Sequence, residues 1–216
     1  MVKRIFSTVV LLTLTITALG YFFWYKPKTG SVNNNRPFSF FPDPENEPNI
    51  LPVKEKTLAL QKYAADNGFN NDRCFLADMK ISSGKKRFFV YNLKKDSIEL
   101  AGLVAHGSGS DTGGEDLYFS NTPNSNCTSL GKYKIGNSYM GKFGLAYKLY
   151  GLEESNSNAF KRFVVLHAHS CVPNEEISPL PLCESWGCPT VAPAFLSELK
   201  TIISHSEKPI LLWIYD

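Results

Sequence analysis

The chain has no Cys-x2-Cys pair, no run of basic residues longer than Lys85-Lys86-Arg87, and no internal repeat. Without close-set cysteines the common spacing of a structural zinc site is missing. The net charge of +3 is dispersed over 216 residues. It argues against nucleic acid as a partner, because that requires a concentrated basic surface. Glycines at 107, 109, 113 and 114 are followed neither by Lys-Ser/Thr nor by a clear helical pattern. They therefore do not make a phosphate-binding loop, and they read as a mobile loop beside the site. No cofactor and no metal is expected.

Charge is also missing from residues 5–24, an apolar run preceded by Lys3 and Arg4 and followed by Lys26 and Lys28. Twenty such residues are just long enough to cross a bilayer as a helix. The rings of Tyr21, Phe22, Phe23, Trp24 and Tyr25 suit its outer interface. Residues 1–26 are expected to be a signal-anchor or a signal peptide, with Ala18-Leu19-Gly20 as the cleavage site in the second case. Bulky aromatics directly after that site favour the uncleaved anchor. Either way the body is exported. Residues 27–53 are rich in Pro, Asn and Gly and read as a flexible linker. Residues 54–216 then form one domain, long enough for a sizeable core.

Within that domain, residues 54–67 have a partial apolar stripe (Leu58, Leu60, Tyr63, Ala64) and Gly68 as a C-terminal cap, which predicts a helix. Alternation at Phe75, Ala77, Met79 and Ile81 predicts a strand. Residues 87–93 return it, and residues 98–104 make a third strand running into His106. Residues 130–150 carry aromatic strands broken by glycine, suited to a small curved sheet or barrel. Residues 163–166 are a short buried strand delivering His167, residues 189–204 a helix, and residues 209–215 a central closing strand, apolar on both faces. The expected class is mainly β with a few helices (α+β).

Five cysteines, at 74, 127, 171, 183 and 188, leave at least one thiol without an intramolecular partner. With Cys188 set aside, three pairings of the other four are open. Cys171–Cys183 is favoured because it clasps the segment containing Pro173, Pro179 and Pro181 into a short loop, a closure contributing about 3 kcal/mol by chain entropy. The alternative is five reduced, packed thiols.

The residues that carry chemistry are Ser185-Trp186-Gly187-Cys188-Pro189 and His167, 21 positions before Cys188. A cysteine flanked by glycine exposes its sulfur and lends backbone N–H groups to an oxyanion. A histidine ending a buried strand supplies a base, and nucleophilic cysteine chemistry needs the two distant in sequence and adjacent in space. The competing reading is a buried small hydrophobe and a satisfied core histidine.

The histidine and the Ser-x-Gly-Cys, together with Phe119-Ser120-Asn121, Ser129-Leu130-Gly131 and Gly151-Leu152-Glu153 in this order, resemble the L,D-transpeptidase (YkuD-type) family, and its murein branch in particular. The resemblance covers residues 97–194. It implies a curved mixed sheet or β-sandwich and an enzyme acting on peptidoglycan stem peptides. Cys188 would attack the carbonyl between the third stem residue and the following D-alanine. His167 would take the thiol proton, making the thiol unusually reactive near neutral pH. The N–H groups at Gly187 and Cys188 would hold the oxyanion, and the Ala168 carbonyl would orient the base. It also implies a bacterial cell envelope, with the body on the periplasmic face and the N-terminal helix in the inner membrane.

Trp186 replaces a histidine that many members carry, and His169 is the candidate to take over its substrate-orienting role. Ser185, Trp186 and His106 complete the expected substrate-binding set; Ser185 either touches substrate or shapes the turn. On sequence alone His169 rivals His167 as base, because on a strand both point to one side.

Other readings are weaker. A sortase needs an arginine after the cysteine, and none follows Arg162. Papain-like and NlpC/P60-type enzymes place Cys before His. A zinc module would draw on His167, His169, Cys171, Cys183 and Cys188. The remaining alternatives are an L,D-carboxypeptidase and a non-catalytic wall-binding domain.

Overall fold

The computed structural model describes residues 50–216 apart from Glu115. The expected anchor and the linker up to residue 49 lie outside the described residues. Among the described residues no helix is long and apolar enough to cross a membrane.

The first helix, α1 (Ile50–Asn67), starts four residues before its expected first turn. It ends where expected, at Gly68, whose φ of +74° is open to glycine without strain. Then come β1 (Arg73–Asp78), β2 (Phe88–Asn92), β3 (Ser97–Gly102) and β4 (Val104–Ala105). A hairpin of β5 (Gly131–Gly141) and β6 (Gly144–Gly151) follows, then β7 (Val165–Ala168), β8 (Thr190–Val191), α2 (Pro193–Ser204) and β9 (Leu211–Tyr215). The third predicted strand is broken at Leu103. The helix predicted from 189 begins only at Pro193, because Thr190 and Val191 pair with β7 first.

The strands form one mixed sheet in the order β3-β2-β1-β9-β5-β6-β7-β8-β4. β9 lies well inside it, between β1 and β5, as its two apolar faces require. β3 and β4 stand at opposite edges, yet a single residue separates them in the chain. Neighbouring Cα atoms are about 3.8 Å apart, so the two edges meet at that point and the sheet curls almost to closure. The described strands therefore make one curved sheet rather than two stacked ones, which corrects the sandwich alternative.

Alternation along β1 sorts its side chains to two cores. Phe75 and Ala77 join Tyr133, Leu149, Leu166 and Leu212 together with Leu196 and Leu199 of α2. Cys74 and Leu76 point the other way, against Leu60 and Ala64 of α1. Each fully buried leucine contributes roughly 1.5–3 kcal/mol relative to exposure.

Candidate active site

β7 and β8 run parallel, with His167 opposite Thr190. Parallel neighbours require a crossover, and here residues 169–189 supply it without a helix. The Cys171–Cys183 disulfide, with Cα atoms 6.1 Å apart, closes the first part of this crossover. The favoured pairing is present, while Cys74, Cys127 and Cys188 are free. Because Thr190 is fixed beside His167, Cys188 two residues earlier reaches the start of β7. Its Sγ lies 3.5 Å from the Val165 N and 3.8 Å from the Phe163 carbonyl oxygen.

The turn before Cys188 is tied from within. Ser185 Oγ accepts the Gly187 N–H at 3.1 Å and donates to the Cys188 carbonyl at 2.6 Å. Gly187 has φ +105°, and a Cβ there would come within 2.8 Å of the Cys127 carbonyl oxygen. Only glycine fits. Ser185 also forms a bridge with Gly107, and its carbonyl accepts the Ser108 N–H at 2.7 Å. The glycine stretch is thus partly pinned. Gly107 and Gly109 run against the backbone at 125–126, with a 3-10 turn at Ser108–Ser110.

The His167 ring is buried, 6% exposed. Its Nδ1 lies 3.1 Å from the Ala168 carbonyl oxygen. A carbonyl only accepts, so Nδ1 carries the proton and the basic lone pair sits on Nε2. Nε2 lies 3.0 Å from Thr190 Oγ1. Phe143 stacks on the ring at 5.2 Å and meets His169 edge-on at 5.7 Å, so 167 and 169 do share a side. His169 is exposed, and its Nδ1 accepts the Cys171 N–H at 3.2 Å.

Burial pushes the Cys188 thiol above its ordinary range, opposed by the Val165 N–H and the positive charge of Arg162. Burial also lowers the basicity of His167; the Ala168 carbonyl works against this and His169 adds to it. Both shifts favour the neutral forms of the thiol and the imidazole.

His167, His169, Ser185, Trp186 and Cys188 line one cleft of about 490 Å³, along with Lys142, Phe143, Arg162, Phe163 and Thr190. Two expected roles change, those of His106 and Gly187, and the open choice for Ser185 narrows. His106 is not among the lining residues: it is buried, and its Nδ1 is 2.9 Å from Arg87 Nη2. It acts through its carbonyl, which accepts the Ser185 N–H. Ser185 shapes the turn, its hydroxyl being consumed there. The Gly187 N–H is spent on Ser185, so it does not face an oxyanion. Trp186 is 74% exposed at the rim, with the Lys142 amine 5.8 Å from its ring centre. The five-residue zinc set fails because Cys171 and Cys183 are bonded to each other.

Two site residues escaped the sequence reading. Arg162 bridges the Ser120 carbonyl at 2.8 Å and the Cys127 carbonyl at 2.6 Å, clamping the 120–127 loop under Gly187. Its signal was its place directly before the apolar run to His167. Thr190 carried no signal, since its role depends on strand register.

No curated protein matches this chain. Among solved structures, a mutant L,D-transpeptidase of Enterococcus faecium is 12% identical, over 67% of this chain and 50% of its own, with a TM-score of 0.40. The helical cell shape determining protein of Campylobacter jejuni is 12% identical, over 76% and 55%, with a TM-score of 0.43. The L,D-transpeptidase from Mycobacterium smegmatis is 10% identical, over 67% and 59%, with a TM-score of 0.39. The chain spans about half the length of the Enterococcus protein. Residues 46–215 match the family model of the L,D-transpeptidase catalytic domain, and the chain belongs to that family.

Proposed function

We propose that this protein is a peptidoglycan L,D-transpeptidase that acylates Cys188 with a stem peptide and passes the acyl group to an amine. The observation that carries the reading is the cleft in which Cys188 Sγ meets the first residue of the same strand that presents His167, with the ring tautomer set by Ala168. The thiol is hydrogen-bonded to the Phe163 carbonyl and the Val165 N–H and not, among the described residues, to Nε2. Proton transfer then accompanies substrate binding. The S–H bond breaks, an N–H forms on His167, and Sγ bonds to the substrate carbonyl carbon as its oxygen takes up charge. The Cys188 N–H supplies the oxyanion donor in place of Gly187. The imidazolium returns its proton to the departing amine. The exposed Trp186, Phe143 and His169 receive the stem peptide, and the site works on the periplasmic face of the envelope.

Muropeptides from cells carrying wild-type protein should contain crosslinks that cells carrying Cys188→Ala lack. A carbapenem should add its mass to wild type and not to Cys188→Ala. Labelling or crosslinking that survives this substitution overturns the assignment of the nucleophile. Shortened stems without crosslinks would overturn transfer to an amine in favour of transfer to water.

A further inference from the structure

Cys188 and His167 are not hydrogen-bonded to each other among the described residues; the base faces Thr190 instead. Thr190 is 3% exposed and fixed by strand register opposite His167. Its Oγ1 lies 3.0 Å from Nε2 and 3.3 Å from the Cys188 carbonyl oxygen. We propose that Thr190 is a positioning residue whose hydroxyl reverses its donor role as His167 gains and loses the catalytic proton.

The reversal follows from the donor and acceptor inventory. With Nδ1–H committed to the Ala168 carbonyl, neutral His167 offers only a lone pair at Nε2, so the threonine must donate its hydrogen there. That bond uses the single lone pair of Nε2, so the threonine hydrogen swings to the Cys188 carbonyl, already within reach, as the thiol arrives. Once Nε2 has taken the thiol proton it becomes a donor, and Thr190 Oγ1 accepts from it. The Cys188 carbonyl also holds Ser185 Oγ at 2.6 Å, and its second lone pair is free to serve Thr190. The threonine proton is reoriented and never transferred. In both states every polar atom of this buried wall has a partner, where an unpaired one would cost about 1–3 kcal/mol.

A hydrogen bond to a charged group outweighs one to a neutral group, so Thr190 favours imidazolium over imidazole. It thereby works against burial at the base. The other titratable groups around the ring are His169 beyond β7, Cys188 on the loop into β8, and Lys142, whose amine sits 5.6 Å from the Phe143 ring centre. Arg162 acts on Cys188 from the segment before β7.

The proposal rests on the transpeptidase reading for its catalytic consequence but not for its first test. NMR titration of the His167 ring in the full chain needs no peptidoglycan. Thr190→Val, nearly isosteric, should lower the His167 pKa by about half a unit or more, and Thr190→Ser should restore it. In transpeptidation Thr190→Val should lower kcat about tenfold and leave KM within about twofold, with Thr190→Ser near wild type. An unchanged or raised His167 pKa in Thr190→Val overturns the proposal. So does a serine variant as defective as valine, or a defect confined to KM. If wild type transfers nothing while the titration behaves as stated, the functional reading fails and the Thr190–His167 coupling stands.

Discussion

His167 and His106 are almost equally buried, 6% and 7% exposed, and they sit in two layers of one region with opposite chemistry. His167 forms part of the cleft wall. A carbonyl on its Nδ1 forces the proton there and leaves Nε2 basic. His106 lies below the cleft, where a guanidinium on Nδ1 forces the reverse tautomer. Its Nε2–H is buried with no partner among the described residues. Burial, helped by the Arg87 charge, lowers its pKa to about 4. Burial alone therefore does not make a histidine a base. The group on the second nitrogen decides whether the first can take a proton.

The comparison breaks most sharply by removing each ring. His167→Ala should cut transpeptidation by about 10²–10⁴-fold, measured as single-turnover acylation of Cys188. His106→Gln should leave the acylation chemistry intact apart from any looseness in the 185–188 turn. If the two substitutions reduce acylation equally, the two layers are not distinct in function.

The second effect is on stability. The His106 pKa in the fold lies below the ordinary 6.5 of an unfolded histidine. The unfolded chain therefore binds a proton that the native chain refuses. The stability this represents is fully present above pH 6.5 and is lost as pH falls through the window down to about 4. Its size is about 3 kcal/mol at most. Denaturant midpoints of wild type should fall across that window, and those of His106→Gln should fall less. Equal slopes for the two proteins would remove His106 from the explanation.

The smallest effect belongs to the rim. Trp186→Ala removes a ring already in water, so stability should stay within about 0.5 kcal/mol. If the ring receives substrate, KM should rise severalfold with kcat little changed. A fall in kcat alone would move Trp186 from binding into the chemistry.

Much of this was legible in the chain itself. Local pattern was sufficient for the helix ending at Gly68, the central apolar strand ending at Tyr215 and the Cys171–Cys183 clasp, whereas the strand expected over 163–166 runs instead over Val165–Ala168 and contains His167, with Phe163 exposed at φ +58° before it. The first three depend on residues close in sequence or on buried faces with a period of two. The Ser-x-Gly-Cys motif and His167 likewise picked out residues that the fold brings into one cleft. The other errors concern what a long-range neighbour does to a side chain. Nothing near His106 in the sequence announces Arg87 on its Nδ1, so a buried histidine read as a cleft residue. Nothing near Gly187 announces that Ser185 takes its N–H.

The sequence by itself determined which residues are candidates for the chemistry and where most of the strands lie, because composition, periodicity and motif spacing are properties of neighbouring positions. The tertiary structure alone decided which atoms carry protons. That choice follows from the parallel register setting Thr190 beside His167, from the near-closure of the sheet between Gly102 and Val104, and from the cost of leaving a buried donor or lone pair unpaired.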